Sequence, residues 1–217
     1  PLIEIATEPE VTTPAHAKET AIALGQVLRD TRRVRRGLGS IRQDLNVSIA
    51  CGDRVEIKGC QDLDWIPRII SLEMARQLHL YRLASDLRSH LSLPPLPVDR
   101  REDDSETEAQ VAAAVAKSLP LAPVDVSDLF TSTESGMVSN ALGSGDVVLG
   151  VRLAALAGRL GSKDLDAGGA QLPRLGRELA SAARAAGVRG IFHSDELPAY
   201  GITEEEISAV SDRLGCL

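Results

Sequence analysis

Between Ile41 and Lys58 the chain carries polar side chains at strand spacing. Arg42, Asp44, Asn46 and Ser48 share one parity, and Ile41, Gln43, Leu45, Val47 and Ile49 share the other. Strand side chains point alternately to two faces, so the four polar groups line one surface. Cys51, Gly52 and Asp53 supply a turn, after which Arg54, Val55, Glu56, Ile57 and Lys58 alternate again. Paired as a hairpin, the two runs form a ribbon with one apolar and one charged face. That charged face has two readings. It is the solvated side of a surface hairpin, or it is a platform for phosphate chemistry. In the second reading Arg42 and Lys58 meet phosphate oxygens, and Asp44 with Glu4 holds Mg²⁺. Hard cations take carboxylate oxygens, and Mg²⁺ needs only one or two from protein when phosphate supplies the others. Cationic groups and Mg²⁺ together stabilise a transferring phosphoryl group.

The flanks of the ribbon sharpen the choice without settling it. Arg32, Arg33, Arg35 and Arg36 precede it, followed by a Gly-Leu-Gly break. Glu4 sits in the apolar run PLIEIA, which reads as a short strand over residues 1–6. A carboxylate there is either paired or metal-bound, or it faces water on an edge strand. No GxxxxGK[ST] loop, GxGxxG turn, HExxH or GxSxG motif occurs. ATP chemistry in this chain therefore has to rest on side chains and a metal. His193, Ser194 and Asp195 are consecutive. Triad members are brought together by a fold and are rarely adjacent in sequence, so a turn is the preferred reading here.

These residues must be positioned by a chain of 217 residues, enough for one large domain or two small ones. With one Trp, two Tyr and two Phe, its core must come from Leu, Ile, Val and Ala, and the scarcity argues against aromatic stacking platforms for single-stranded nucleic acid. The three cysteines, Cys51, Cys60 and Cys216, lack CxxC spacing and read as free thiols. No apolar run is long enough for a membrane span and no secretory pattern is present, so a soluble, cytoplasmic protein with no membrane partner is expected. Residues 1–91 hold 13 basic and 12 acidic side chains, while residues 92–217 hold 11 and 19. A net acidic chain is a poor general nucleic-acid binder, although a basic segment can still meet a phosphate backbone. The first residue is Pro1 and opens directly on a strand-like run, which suggests an internal piece of a longer protein.

The expected class is α+β, with part of a sheet-based cradle domain over residues 1–91 and a small α+β domain over residues 124–217. Thr13 and Pro14 start a helix that runs to about Thr31, and a second helix runs from about Ile66 to Leu91. On that second helix Glu73, Arg76 and Gln77 form a polar patch beside the ribbon. Residues 92–123 are a linker, Pro-rich and then acidic, with an Ala-rich helix from Ala109. Beyond it, residues 146–157 read as a strand pair or one long strand, and residues 173–186 as a helix closed by Gly187. Residues 188–192 read as a buried strand, and residues 202–214 as a helix with a Thr203–Glu206 capping box.

The segments PLIEIATEPE, RRGLGSIRQDLNVSIACGDRVEIKG and LEMARQLHL together resemble the GatB/GatE family of tRNA-dependent amidotransferase subunits, which repair misacylated tRNA. That family has a bacterial branch, GatB, found in a trimer, and an archaeal branch, GatE, found in a heterodimer. The segment GRELASAARAAGVRGIFHSDELPAYGIT is similar to the small domain that GatE shares with bacterial-type aspartyl-tRNA synthetases, which favours the archaeal branch. The resemblance implies that Glu on tRNA(Gln) is activated by ATP and amidated with ammonia from an asparaginase-like partner of the heterodimer. It implies metal-binding roles for Glu4 and Asp44, and a catalytic cradle containing Arg42, Glu56 and Lys58. Arg32, Arg33, Arg35 and Arg36 would then lie near nucleotide or acceptor-stem phosphate. The alternative is a noncatalytic tRNA-binding fragment. The family's N-terminal metal-binding segment and C-terminal tRNA-gripping domains have no counterpart in these residues, so the piece alone is expected to be inactive.

Overall fold

A computed structural model describes residues 3–37, 39–99, 108–119 and 121–216. The chain divides into two compact units, one of Pro1–Ala84 with Leu96–Asp103, the other of Ser85–Pro95 with Asp104–Leu217. Helices and short antiparallel pairs make the mixed α+β class expected from the sequence.

In the first unit, helix α1 spans Pro14–Asp30. Thr13 caps it by accepting a hydrogen bond from the His16 amide, and Pro14 occupies the first turn where no amide is needed. Strands β1 (Leu45–Val47) and β2 (Val55–Ile57) pair antiparallel, with Leu45 opposite Ile57, Asn46 opposite Glu56 and Val47 opposite Val55. Helix α2 spans Ile66–His90 and begins at a fully buried Ile66. Lys18 on α1 bonds Asp64 just before α2 at 2.6 Å, and this partner holds the Asp64 carboxyl below its ordinary range.

The expected strand over residues 1–6 is not found. Pro1 and Leu2 lie outside the described residues, and Ile3–Ile5 are exposed and belong to no strand. An apolar alternating run is only a candidate strand. Without a neighbour to take its backbone groups, it forms no ladder.

The second unit contains α3 (Glu108–Ser118), β3 (Val124–Asp125), α4 (Gly136–Gly143), β4 (Leu149–Gly150), α5 (Leu175–Ala185) and α6 (Glu204–Leu214). The acidic end of the expected linker, residues 101–107, lies outside the described residues. Strands β3 and β4 pair antiparallel through only two residues each. Val126, Phe130, Val138 and Ile202 form the buried core, against which Val148, Phe192, Leu197, Ile207 and Val210 pack. Phe130 and Phe192 meet edge to face with ring centroids 6.2 Å apart. Arg213 on α6 grips Asp128 through Nη2 and Nη1, at 2.8 and 3.3 Å.

Two expectations for this unit are corrected. Of residues 146–157 only Leu149–Gly150 is strand, and residues 188–192 form none. Both segments carry apolar side chains on two sides, the pattern of a doubly covered strand. Here Val147, Leu149, Val151, Val188 and Ile191 remain exposed.

The helix ends follow the sequence closely. Gly187 stands in the left-handed region just after α5, and the Val188 amide returns to the Ala183 carbonyl. Thr203 and Glu206 form the full capping box of α6. Thr203→Ala should lower stability by about 1 kcal/mol, read as a shift in urea midpoint with unchanged slope.

Candidate active site

The ribbon's alternation survives folding beyond its short ladder. From Ile41 to Ile49 every odd residue is at least half-buried and every even one exposed. Val55 and Ile57 turn inward, and Glu56 and Lys58 outward. One surface of the hairpin therefore displays Arg42, Asp44, Asn46, Ser48, Glu56 and Lys58 to solvent. Asn46 faces Glu56 directly, and continuing the register by two residues sets Asp44 across from Lys58.

Backbone interactions fix the carboxylate of Asp44. Its Oδ1 accepts the Gly59 amide at 2.8 Å. Gly59 adopts φ of +74°, a left-handed conformation that bends the chain out of the ladder, and the Cys60 amide then reaches the Gln43 carbonyl at 2.8 Å. Lys58 Nζ donates to Glu56 Oε1 at 3.0 Å. That hydrogen bond and the charge of Glu56 raise the Lys58 ammonium above its ordinary 10.5, with Asp44 and Glu4 adding to the same field. Lys58, a cation at neutral pH like any exposed lysine, is set in the field of three carboxylates.

The opposite side of the ribbon is fastened by α2. Gln77 is buried; its Nε2 donates to the Val47 carbonyl at 3.0 Å, and its Oε1 accepts the Ile49 amide at 3.2 Å. The same Nε2 donates to Glu73 Oε1 at 2.8 Å, and Glu73 pairs with Arg76 at 2.8 Å. The side-chain amide thus supplies the donor and acceptor that another strand would have given β1. A Cβ on Gly52 would stand 2.2 Å from Gln77 Oε1, so any other residue in the turn would have to displace the Gln77 amide.

Glu73, Arg76 and Gln77 do form a polar group beside the ribbon, but on its packed side. What sequence reasoning missed is that Gln77 binds the hairpin backbone. Its signal was a glutamine four residues after a glutamate on a helix that otherwise turns Ile66, Ile69 and Ile70 inward.

The structure brings Asp44, Glu56 and Lys58 together, with Glu4 near enough to act on the Lys58 charge. It does not tie Arg32, Arg33, Arg35, Arg36 or Arg42 to them. All five are exposed, and none makes an ion pair among the described residues. Arg32 itself has a positive φ of 57°, which turns the chain sharply after α1. Among the described residues no group of three or more His, Cys, Asp or Glu could hold a metal. Glu4 and Asp44 both act on the Lys58 charge, and carboxylates of this number are the donor chemistry of a Mg²⁺ that takes its remaining ligands from phosphate and water, not of a metal caged by protein alone. Cys60 is buried, and burial, helped by Asp62, pushes its thiol above the ordinary 9.0, away from nucleophilic use.

The residues 1–134 match the family model described as the GatB/GatE catalytic domain. The chain belongs to the GatB/GatE family. It is 43% identical over 215 residues to the GatE subunit of glutamyl-tRNA(Gln) amidotransferase from Thermococcus gammatolerans, covering 99% of this chain and 30% of that protein. The GatE subunit from Pyrococcus horikoshii is 43% identical, with 29% of its length covered. That from Halobacterium salinarum is 42% identical, with 30% covered. The chain thus spans less than a third of the relatives it matches.

The match to the GatB/GatE model covers the whole ribbon and extends to residue 134. The His193–Asp195 stretch lies beyond it, and its geometry is that of a turn. Ser194 is exposed, while Asp195 accepts the amides of Gly158 at 2.8 Å and Gly161 at 3.0 Å. Burial would raise the Asp195 carboxyl, but the amides of Gly158, Gly161 and Leu160 and the charge of His193 outweigh it and hold the group below 3.8. A depressed carboxyl stabilises the fold above its ordinary value and loses that contribution as pH falls below 3.8. Thermal melts of the wild type and Asp195→Asn should therefore differ most near neutral pH and converge as pH falls below 3.8.

No helix among the described residues is long and apolar enough to cross a membrane.

Proposed function

We propose that this chain carries part of the catalytic surface of an ATP-dependent amidotransferase subunit that converts Glu-tRNA(Gln) to Gln-tRNA(Gln). The observation that carries this reading is the solvent-facing row of Asp44, Glu56 and Lys58 on a hairpin fastened from behind, within a GatB/GatE catalytic domain. Residues 1–91 are the C-terminal part of the catalytic cradle, residues 92–123 a linker, and residues 124–217 a small domain akin to that of bacterial-type aspartyl-tRNA synthetases. The full protein works in the cytoplasm.

In this account a γ-carboxylate oxygen of the glutamyl group attacks the γ-phosphorus of ATP, and ADP leaves. Ammonia, delivered by the asparaginase-like partner, then attacks the acyl carbon, and inorganic phosphate departs with the former carboxylate oxygen. Lys58 and Arg42 place positive charge against the phosphate oxygens during the transfer. Glu56 directs the Lys58 ammonium along the ribbon face. Asp44 and Glu4 would hold Mg²⁺, which when bound would supply neutralisation of the phosphate charge. The exposed arginines Arg32, Arg33, Arg35 and Arg36 meet the backbone phosphates of the nucleotide or the tRNA acceptor stem.

The test is a reconstitution of the full-length protein with its asparaginase-like partner, Glu-tRNA(Gln), ATP and Mg²⁺. Gln-tRNA should form only when ATP is present. Binding of tRNA without any ATP-dependent product would instead make the chain a noncatalytic tRNA-binding module.

A further inference from the structure

Arg174, Arg177, Ile191, His193, Glu196 and Tyr200 line a cavity of about 230 Å³ within the second unit. The proposed reaction uses none of these residues. The cations belong to an unusual stretch. Residues 92–217 are acidic as a whole, yet residues 170–190 hold four arginines and a single acid, Glu178. Arg174 stands at the cap of α5 and Arg177 follows three residues later, so both side chains leave the same side of the helix. The first-turn amides of α5 add partial positive charge at that end.

The one carboxylate of the lining is neutralised inside the site. Glu196 Oε1 accepts from Arg174 Nη1, and its Oε2 lies 3.6 Å from His193 Nε2. The neighbouring Asp195 turns to the amides of Gly158 and Gly161 instead. The Arg177 guanidinium makes no ion pair or hydrogen bond among the described residues. A single exposed arginine is ordinary, but this one lines a cavity beside polar groups that burial has already desolvated.

His193 is the second observation. Its side chain is only 10% exposed, and Nδ1 is buried with no hydrogen-bond partner. Buried polar atoms without partners are rare, and each calls for a functional or solvent explanation. The ring lies against the first turn of α5. A Cβ on Gly176 would stand 2.4 Å from His193 Nε2 and 2.9 Å from the Leu160 carbonyl oxygen, so a larger residue there would disturb the approach.

Tyr200 completes the wall. It is 61% exposed and has a φ of +59°, a conformation that bulky residues seldom adopt. The turn is held from behind, where Gly201 packs on the backbone of Glu134 and Ser135 and Ile202 enters the core. Strained residues that the surrounding fold holds in place cluster at ligand sites.

The size and donors select the ligand. Sites for drug-sized molecules span about 300–1,000 Å³ and are mostly apolar. This one is smaller and carries two guanidinium groups, an imidazole and a phenol. Those donors come from separate segments, α5, the residues before Ser194, and the turn at Tyr200. A phosphate group offers three oxygens to meet them, whereas a planar carboxylate offers two.

We infer that this cavity binds a phosphate group, with Arg177 and the unpaired nitrogens of Arg174 on its oxygens and His193 and Tyr200 beside them. The group belongs either to a free phosphate compound or to an RNA backbone, and the test separates the two. The inference concerns the second unit and does not depend on the proposed reaction.

Full-length protein is treated with phenylglyoxal, which modifies accessible guanidinium groups, and each arginine is followed by peptide mass spectrometry. Inorganic phosphate is titrated at constant ionic strength, so that general screening stays fixed. Modification of Arg177 should slow at least ~10-fold, with half of the effect near ~1 mM phosphate. Arg184, exposed on the same helix but outside the cavity, should keep its rate. A tRNA(Gln) transcript is then added in place of phosphate. Protection of Arg177 by the transcript as well makes RNA the source of the phosphate, and protection by inorganic phosphate alone makes the source a free phosphate compound. No slowing by inorganic phosphate, equal slowing of Arg177 and Arg184, or slowing that does not saturate by ~20 mM overturns the inference.

Discussion

Asp44→Asn in the full-length protein should reduce ATP-dependent formation of Gln-tRNA by on the order of a thousandfold, while leaving the hairpin folded. The choice of asparagine separates two roles that Asp44 combines. Its Oδ1 accepts the Gly59 amide, and an asparagine oxygen can still do so. What is lost is the negative charge that attracts a hard cation, worth several kcal/mol in the transition state. Asp44→Ala should be equally inactive but should also loosen the bend at Gly59. If Asp44→Asn retains wild-type turnover, Asp44 holds no metal, and the row of charges is a solvated face. Lowered thermal stability together with lowered activity would instead show a role confined to the bend.

Gln77→Ala should cost roughly 2–4 kcal/mol and, at temperatures where the protein remains folded, about a hundredfold in turnover. The stability loss arises because the Val47 carbonyl and the Ile49 amide lose their partner where water enters poorly, and buried Glu73 loses a donor. The loss of turnover follows from the position of Val47 and Ile49 on the strand that carries Asp44, Asn46 and Ser48 on its other face. A shift of the strand by an ångström moves every charge in the row. Gly52→Ala tests the same contact from the ribbon side, since its new Cβ would press on Gln77 Oε1. Both variants should lower turnover more than they weaken ATP binding. Wild-type kinetics in both would show that the fastening of the ribbon is irrelevant to the reaction.

How far the chain could be read before folding depends on the range of the interactions. Helix ends were legible because their determinants are local: Thr13 with Pro14, Gly187 after α5, and Thr203 with Glu206 lie within a few residues of what they cap. The two faces of the ribbon were legible because strand parity is equally local, and the alternation from Ile41 to Ile49 appears as read. Pairing is not local. Residues 3–6, 146–157 and 188–192 all have strand-like patterns, yet only Leu149–Gly150 among them finds a partner. Apolar alternation records that a side chain can be covered, and whether a neighbour arrives depends on distant chain.

The candidate site divides in the same way. That Asp44, Glu56 and Lys58 share a face followed from spacing, whereas the hold of Gln77 on the strand 30 residues away did not. Glu4 was visible as a carboxylate in an apolar run, but only the fold places it within the field of Lys58.

The central claim is that this face passes a phosphoryl group to the glutamyl carboxylate, and isotope transfer reports that step directly. The full-length protein with its asparaginase-like partner is given Glu-tRNA(Gln) labelled with ¹⁸O in the γ-carboxylate, together with ATP, Mg²⁺ and ammonia, and the released phosphate is analysed by mass. The account predicts one ¹⁸O in each phosphate from the wild type and almost no labelled phosphate from Asp44→Asn. Unlabelled phosphate accompanying Gln-tRNA formation, or full labelling by the variant, would contradict it.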